Sequence, residues 1–337
     1  MEDKKILLSH GSGGMMMHSL IKDIFLRHFK GNELAKMGDS AILAGICGQF
    51  SLSFTTDSYT VNPLFFPGGD IGKLSVCGTV NDISVSGARP LFISCAVIAE
   101  EGFDKDMLEK IVVSMSKTAR LAGIEIVTGD FKVVEKGKMD GLFINTSAIG
   151  ISPVGRVMDR AGIRPGDRII INGFTGDHEL SVLLARNEFK FSAGIKSDCA
   201  PLNELVKEIM DSGLPVRFMR DPTRGGVATT LNEISDGSPF GIRIREADVP
   251  VREETRAVCE LLGFDPLYLA NEGKVIVICP RESSERILCL MRKHKYGKDS
   301  ALIGEVVESP RGRVILDTAG GSRILDMLSG SQLPRIC

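Results

Sequence analysis

Five aspartates in this chain stand beside glycine, at the ends of apolar runs or inside an otherwise small and apolar helix. They are Asp39 in Gly38-Asp39-Ser40, Asp57 in Thr55-Thr56-Asp57-Ser58, Asp82 after Asn81, Asp130 in Thr128-Gly129-Asp130, and Asp221 at the head of Asp221-Pro222-Thr223-Arg224-Gly225-Gly226. Carboxylates at strand ends next to glycines are where an α/β protein holds Mg2+ and phosphate. Mg2+ takes one or two carboxylates and completes its shell with phosphate oxygens and water. One such aspartate is ordinarily a turn former or helix cap; five together point to a phosphate-handling site. His10-Gly11-Ser12-Gly13-Gly14 adds a loop whose backbone amides can face an anion. No Gly-Lys-Ser/Thr follows it, so it is not a P-loop. Arg224, followed by two glycines at a helix start, suits a phosphate group.

The last residue is Cys337, in Pro334-Arg335-Ile336-Cys337. A thiol on a chain end is expected to be mobile and exposed. Pro334 stiffens its approach and Gly330 offers a hinge. The stretch after Leu328 spans roughly 30 Å when extended, enough to carry the sulfur across a domain surface. The chain has eight cysteines, with no CxxC pair and no Cys/His cluster at zinc spacing. Free thiols are the expectation.

Four further residues have two readings each. Lys132 forms a surface pair with Asp130, or steadies an oxygen undergoing phosphorylation. Glu272, in Asn271-Glu272-Gly273, is a turn residue or a general base. His178, in Gly176-Asp177-His178-Glu179, begins a helix or lines the same cleft. Asn81, beside Asp82 inside a helical stretch, is satisfied in the core or aimed at a ligand.

These groups need elements to hold them. Residues 50–56, 91–99, 124–128 and 142–149 read as strands. Residues 71–86 and 104–122 read as helices, the latter ended by Gly123. After a break near 150–166, a strand over 168–172, helices over 177–185, 200–212 and 225–235, a strand over 274–279 and a late hairpin over 314–326 follow. The class is therefore mixed α/β (α+β), with domains at 1–153 and 154–328 and a flexible tail at 329–337. The chain has 337 residues, 43% hydrophobic and 25% charged, with a net charge of −2. That is a two-domain globular composition. No basic excess points to nucleic acid, no apolar run is long enough to span a bilayer, and the first residues lack a secretory pattern. A cytoplasmic protein is the expectation.

Taken together, these motifs resemble the hydrogenase-maturation carbamoyl dehydratases, within the group typified by aminoimidazole ribonucleotide synthetase and selenophosphate synthetase. The resemblance runs through the glycine loop at 10–14, Asn81-Asp82 with Ser86-Gly87-Ala88-Arg89-Pro90, Thr128-Gly129-Asp130, Gly176-Asp177-His178 and Asp221 to Gly226, in that order. Most of these are shared across the group and specify ATP use. Pro334-Arg335-Ile336-Cys337 is the mark of the dehydratase. The resemblance implies a homodimer through the N-terminal domain, and ATP with Mg2+ in a cleft between domains. It implies that Cys337 carries a carbamoyl group installed by a separate carbamoyltransferase. The group is dehydrated to a thiocyanate, and the cyano group passes to iron on a scaffold complex during [NiFe]-hydrogenase assembly. It implies Asp39, Asp82 and Asp221 as metal ligands. Gly11, Ser12, Gly13, Gly14, Asp57, Asn81, Asp130 and Arg224 would lie at the nucleotide, and Cys337, Lys132, Glu272 and His178 in the chemistry. Two other readings remain at this stage: a related ATP-dependent synthetase or kinase with a diffusible substrate, and a non-enzymatic metallochaperone.

Overall fold

A computed structural model of the chain describes residues 6–11, 14–28, 34–154, 158–186, 194–329 and 333–337. Ser12 and Gly13 of the glycine loop and Gly330 of the tail lie outside them. The first segment forms two short helices, α1 (Met15–Leu20) and α2 (Leu26–His28), joined by a π-helical turn.

The N-terminal sheet is built from β1 (Ala41–Cys47), β2 (Phe50–Tyr59), β5 (Arg89–Glu100), β6 (Glu125–Val134) and β7 (Leu142–Pro153), in the order β1-β2-β7-β5-β6. Two short strands, β3 (Phe65–Phe66) and β4 (Gly69–Asp70), pair separately. Only β5 and β6 run parallel. Strict alternation along β7 buries Leu142, Ile144, Thr146 and Ala148 on one face, with Phe143, Asn145, Ser147 and Ile149 on the other. Helices α3 (Ile71–Val85) and α4 (Lys105–Ala122) cover the first face. Asp70 caps α3 by accepting from the amides of Gly72 and Lys73 at 2.8 and 3.0 Å. α3 is apolar nearly all round because it lies between the N-terminal sheet and the C-terminal domain.

The C-terminal sheet comprises β8 (Arg168–Ile171), β9 (Phe218–Arg220), β10 (Gly241–Arg245), β11 (Ile276–Cys279), β12 (Ala301–Val307), β13 (Val314–Thr318) and β14 (Gly321–Ile324). Their order is β14-β13-β10-β12-β8-β11-β9. Helices α5 (Asp177–Ala185), α6 (Asn203–Asp211), α7 (Gly226–Ser235), α8 (Glu253–Leu262) and α9 (Arg281–Lys293) accompany it. Among the described residues, no helix is long and apolar enough to cross a membrane.

Two features differ from the sequence expectation. Strand β6 does not end at Thr128 but continues to Val134, because it stays in parallel register with β5 as far as the pair Glu100 and Val134. Asp130 and Lys132 are therefore mid-strand residues on a sheet edge. The tail end is docked rather than exposed. The amides of Thr60 and Asn62 donate to the backbone oxygens of Cys337 and Arg335 at 3.0 and 3.2 Å. Arg186 donates to the oxygens of Pro334 and Arg335, and Arg335 pairs with Asp140. Ile336 is 4% exposed and joins the apolar cluster of Tyr59, Val61 and Phe66. Burial of that side chain and satisfied backbone groups offset the entropy of ordering the end.

Candidate active site between the two domains

Residues far apart in sequence meet where the domains face each other. Asp39 stands just before β1, Asp57 on β2, Asp82 on α3 and Asp221 just after β9. Gly225 and Gly226 have φ of 76° and 62°, and a Cβ on Gly226 would lie 2.5 Å from the Leu269 oxygen. That tight left-handed turn brings Arg224 and the start of α7 into the cleft. A cavity of about 280 Å3 is lined by Asp39, Asp57, Asp82, Asp221 and Glu272, together with Arg220, Arg224, Glu233 and Cys337. Thr55 ties two of its walls: its hydroxyl lies 2.9 Å from the Asp39 backbone oxygen and 3.0 Å from Asp82 Oδ2.

The lining holds six carboxylates against two guanidinium groups. Burial, with Asp39 nearby, pushes Asp221 up to about 8, although Arg220 opposes the shift. Burial and the charges of Asp221 and Asp57 raise Asp82 well above the usual carboxylate range. Glu272, 3% exposed, is also raised, chiefly by burial. Mutual repulsion of buried acids is relieved by protons or by a cation. No three His, Cys, Asp or Glu side chains among the described residues converge to hold a metal by themselves. An excess of hard oxygen donors without a closed cage fits Mg2+, which completes its shell with phosphate and water.

A second cavity, of about 260 Å3, surrounds the docked tail and is lined by Thr60, Glu179, Arg224, Gly225 and residues 333–337. Cys337 and Arg224 line both cavities. Burial pushes the Cys337 thiol up to about 12, with Arg224 acting against it. The docked position therefore suits a neutral sulfur, a thiol or an acylated one, rather than a thiolate.

His178 lines neither cavity. Its Nε2 lies 3.1 Å from the Ile336 oxygen and its Nδ1 2.8 Å from Ser197 Oγ. Burial holds the imidazole below its usual range, so it is the neutral tautomer with the proton on Nε2. His178 grips the tail backbone rather than the reacting groups.

Asn81 does not face the cavity. Its amide donates to the oxygens of Ala200 and Glu272 at 3.1 and 3.4 Å, and accepts from the Leu202 amide at 2.8 Å. With every polar atom spent on the C-terminal domain, it joins the domains. Asp130 and Lys132 pair with each other at 2.8 Å and are exposed. They lie in register with Ala96 and Ile98, on the sheet face that carries Phe143 and Asn145. Thr55 and Asp57 point through the opposite face. Within one chain these two residues are not brought to the acidic cavity. The Gly11 oxygen accepts from Arg224 Nη1 at 2.9 Å, and Gly14, with φ 81°, caps α1.

Sequence reasoning overlooked Arg220, Glu233, His18 and Glu179. Arg220 adjoins Asp221 and Glu179 adjoins His178, so adjacency to a recognised motif was the available signal. Glu179 is 2% exposed; its Oε2 accepts from the Ala270 amide at 2.6 Å and its Oε1 is buried without a hydrogen-bond partner.

Two sheets bearing a cleft of buried carboxylates match a known architecture. Residues 38–152 match the N-terminal domain, and residues 164–317 the C-terminal domain, of AIR synthase related proteins. The chain is 47% identical to the carbamoyl dehydratase HypE of Cupriavidus necator, over 99% of this chain and 95% of that one. A crystal structure of the hydrogenase maturation protein HypE in complex with ATP superposes with a TM-score of 0.82 at 49% identity, covering 99% of this chain and 100% of that one. A structure of a HypE–HypF complex matches with a TM-score of 0.87 at 49% identity, over 92% of this chain and 100% of that one. The chain belongs to the HypE family of carbamoyl dehydratases, enzymes of hydrogenase maturation.

Proposed function

We propose that the chain dehydrates a carbamoyl group carried on its own Cys337 to a thiocyanate, with ATP and Mg2+. The observation that carries this reading is the position of Cys337, which lines the acidic cavity while its backbone is held by Thr60 and its neighbour by His178. The ATP complex of a HypE relative supports nucleotide use.

An S-carboxamide must lose its oxygen and both nitrogen protons to become a nitrile. Bound Mg-ATP supplies the phosphoryl group that turns the amide oxygen into a leaving group. Asp39, Asp82 and Asp221 would supply the one or two carboxylates that hold the ion, phosphate and water completing its shell, with Asp57, Arg224 and the glycine loop at the phosphates. Glu272, which lines the same cavity as Cys337, takes one nitrogen proton, and the oxygen that departs as phosphate carries away the other. Docking fixes the reacting carbon relative to these groups, making the step effectively unimolecular.

The N-terminal sheet supports a homodimer. Phe54, Phe92 and Ile98 are 43%, 41% and 43% exposed on the face away from α3 and α4. Burying such a face against a second copy is favourable. Lys132 lies on that face, so it would reach an amide oxygen only across the dimer. The HypE–HypF complex of a relative supports a carbamoyltransferase partner. An iron-bearing scaffold is the acceptor of the cyano group.

Intact mass spectrometry tests the reaction. The chain is incubated with its carbamoyltransferase and carbamoyl phosphate, then with Mg-ATP. Gain of one carbamoyl group and then loss of one water, absent in Cys337→Ala, is expected. An adduct elsewhere, or none, overturns the tethered substrate.

A further inference from the structure

Among the described residues that line the cavity, the one cation outside every recognised motif is Arg220. Its Nε lies 3.1 Å from Asp39 Oδ1 and its Nη2 2.9 Å from Glu233 Oε2. Glu233 Oε1 lies 2.6 Å from His18 Nε2. Four elements thus contribute one side chain each: the approach to β1, the end of β9, α7 and α1. All four side chains are largely buried, the most exposed at 20%.

We propose that Arg220 and Glu233 form a positioning clamp that orients Asp39 toward a divalent ion, a role that rests on the metal reading of the cavity given above. With Oδ1 held by a guanidinium, the Asp39 carboxylate offers an ion a single oxygen. That matches the strict octahedral shell of Mg2+ better than a bidentate carboxylate does. Arg220 alone would be a liability, since a long cation beside several acids can swing into the place of the ion. Glu233 prevents this by holding the far side of the guanidinium, a planar fork that suits two carboxylates at once. The His18 contact extends the clamp to α1, which starts directly after Gly14. The amides of Met15 and Met16 on α1 also donate to the oxygens of Leu328 and Ser329 at 3.1 and 3.2 Å. The clamp therefore links the metal carboxylate to the helix that follows the glycine loop and to the base of the tail.

Partners that orient metal ligands typically carry a 10–100-fold effect on affinity. The test is Mn2+ titration followed by electron paramagnetic resonance, on full-length protein with and without ADP. Arg220→Gln should weaken Mn2+ binding about 10–100-fold, Glu233→Gln should weaken it less, and Arg220→Lys should recover part of the loss. In ATP turnover, the Mg2+ concentration for half-maximal rate should rise while the rate at saturating Mg2+ returns toward wild type. A merely structural role would lower melting temperature and maximal rate without changing Mg2+ dependence, and would overturn the clamp. Wild-type Mn2+ affinity in Arg220→Gln and Glu233→Gln, with Asp39→Asn impaired, would overturn it while leaving the metal cavity intact. Glu233→Gln is isosteric and serves if Arg220→Gln does not fold. Absence of Mn2+ uptake by the wild type would remove the metal reading and the clamp with it.

Discussion

His178 donates from Nε2 to the backbone oxygen of Ile336 at 3.1 Å, one residue short of Cys337. The other ring nitrogen accepts from Ser197, whose hydroxyl oxygen also receives the Cys199 amide at 3.0 Å. Phe66 meets the ring edge-on with centroids 5.5 Å apart. The imidazole is thus fixed in tautomer and orientation, and fixes the sulfur in turn.

Removing that grip should free the tail. In a Cys47→Ser, Cys289→Ser background, which removes the one exposed thiol among the described cysteines together with Cys47, His178→Ala should raise the rate of Cys337 modification by a thiol reagent. Losing a buried hydrogen bond costs about 1–3 kcal/mol, so a rise of about 5- to 150-fold is expected. Unchanged reactivity would remove His178 from the docking.

Glu272→Gln keeps the shape of the side chain and leaves the backbone hydrogen bonds of this residue in place, but removes the base. Dehydration should slow by about 10^2–10^4-fold, while carbamoylation of Cys337 and nucleotide binding persist. Single-turnover mass spectrometry of the pre-loaded variant reads the step directly. A wild-type rate would pass the proton to another group.

Lys132 and the acidic cavity lie on opposite faces of one sheet. If Lys132 acts across a dimer, Lys132→Ala and Cys337→Ala are each inactive alone, and mixed dimers of the two regain thiocyanate formation at one site. Failure of subunit exchange to restore any product, with mixed dimers verified by native mass spectrometry, would exclude action in trans.

Glu179 gives a pH signature. Burial raises its pKa from 4.5 to about 7. The folded state therefore binds this proton more tightly than the unfolded chain. Its contribution to stability is fully present below pH 4.5 and is lost as pH rises through 7. At pH 8 the ionised group costs about 3 kcal/mol. Glu179→Gln should be more stable than wild type at pH 8 and nearly equal at pH 4.5, by urea denaturation. Parallel stability curves for the two proteins would show that the carboxyl is not strained by burial.

The acids at 39, 57 and 221 were legible because each announces itself locally, beside glycine or proline or at the end of a strand, and Asp82 because it interrupts an otherwise small and apolar helix. Asp130 and Lys132 were legible as a pair but not as to place, since strand length depends on the partner strand β5, which local pattern does not reveal. Asn81 and Asp82 are adjacent on a helix, so they point about 100° apart, one toward the other domain and one into the cavity. Arg220, Glu233 and His18 come together only through tertiary packing across more than two hundred residues of chain. The docking of the tail was hidden for the same reason: Ile336 is a single apolar residue whose cavity is built by both domains.

That docked segment has a pharmacological consequence. A small molecule aimed at the apolar seat of Ile336, against Tyr59, Val61 and Phe66, meets an occupant that never diffuses away. A segment tethered to its own site is held there at an effective concentration of about millimolar, so a competitor must displace the chain's own end. Compounds that seize the tail while it is undocked, or that trap it in place by filling the space beside Glu179, face no such rival.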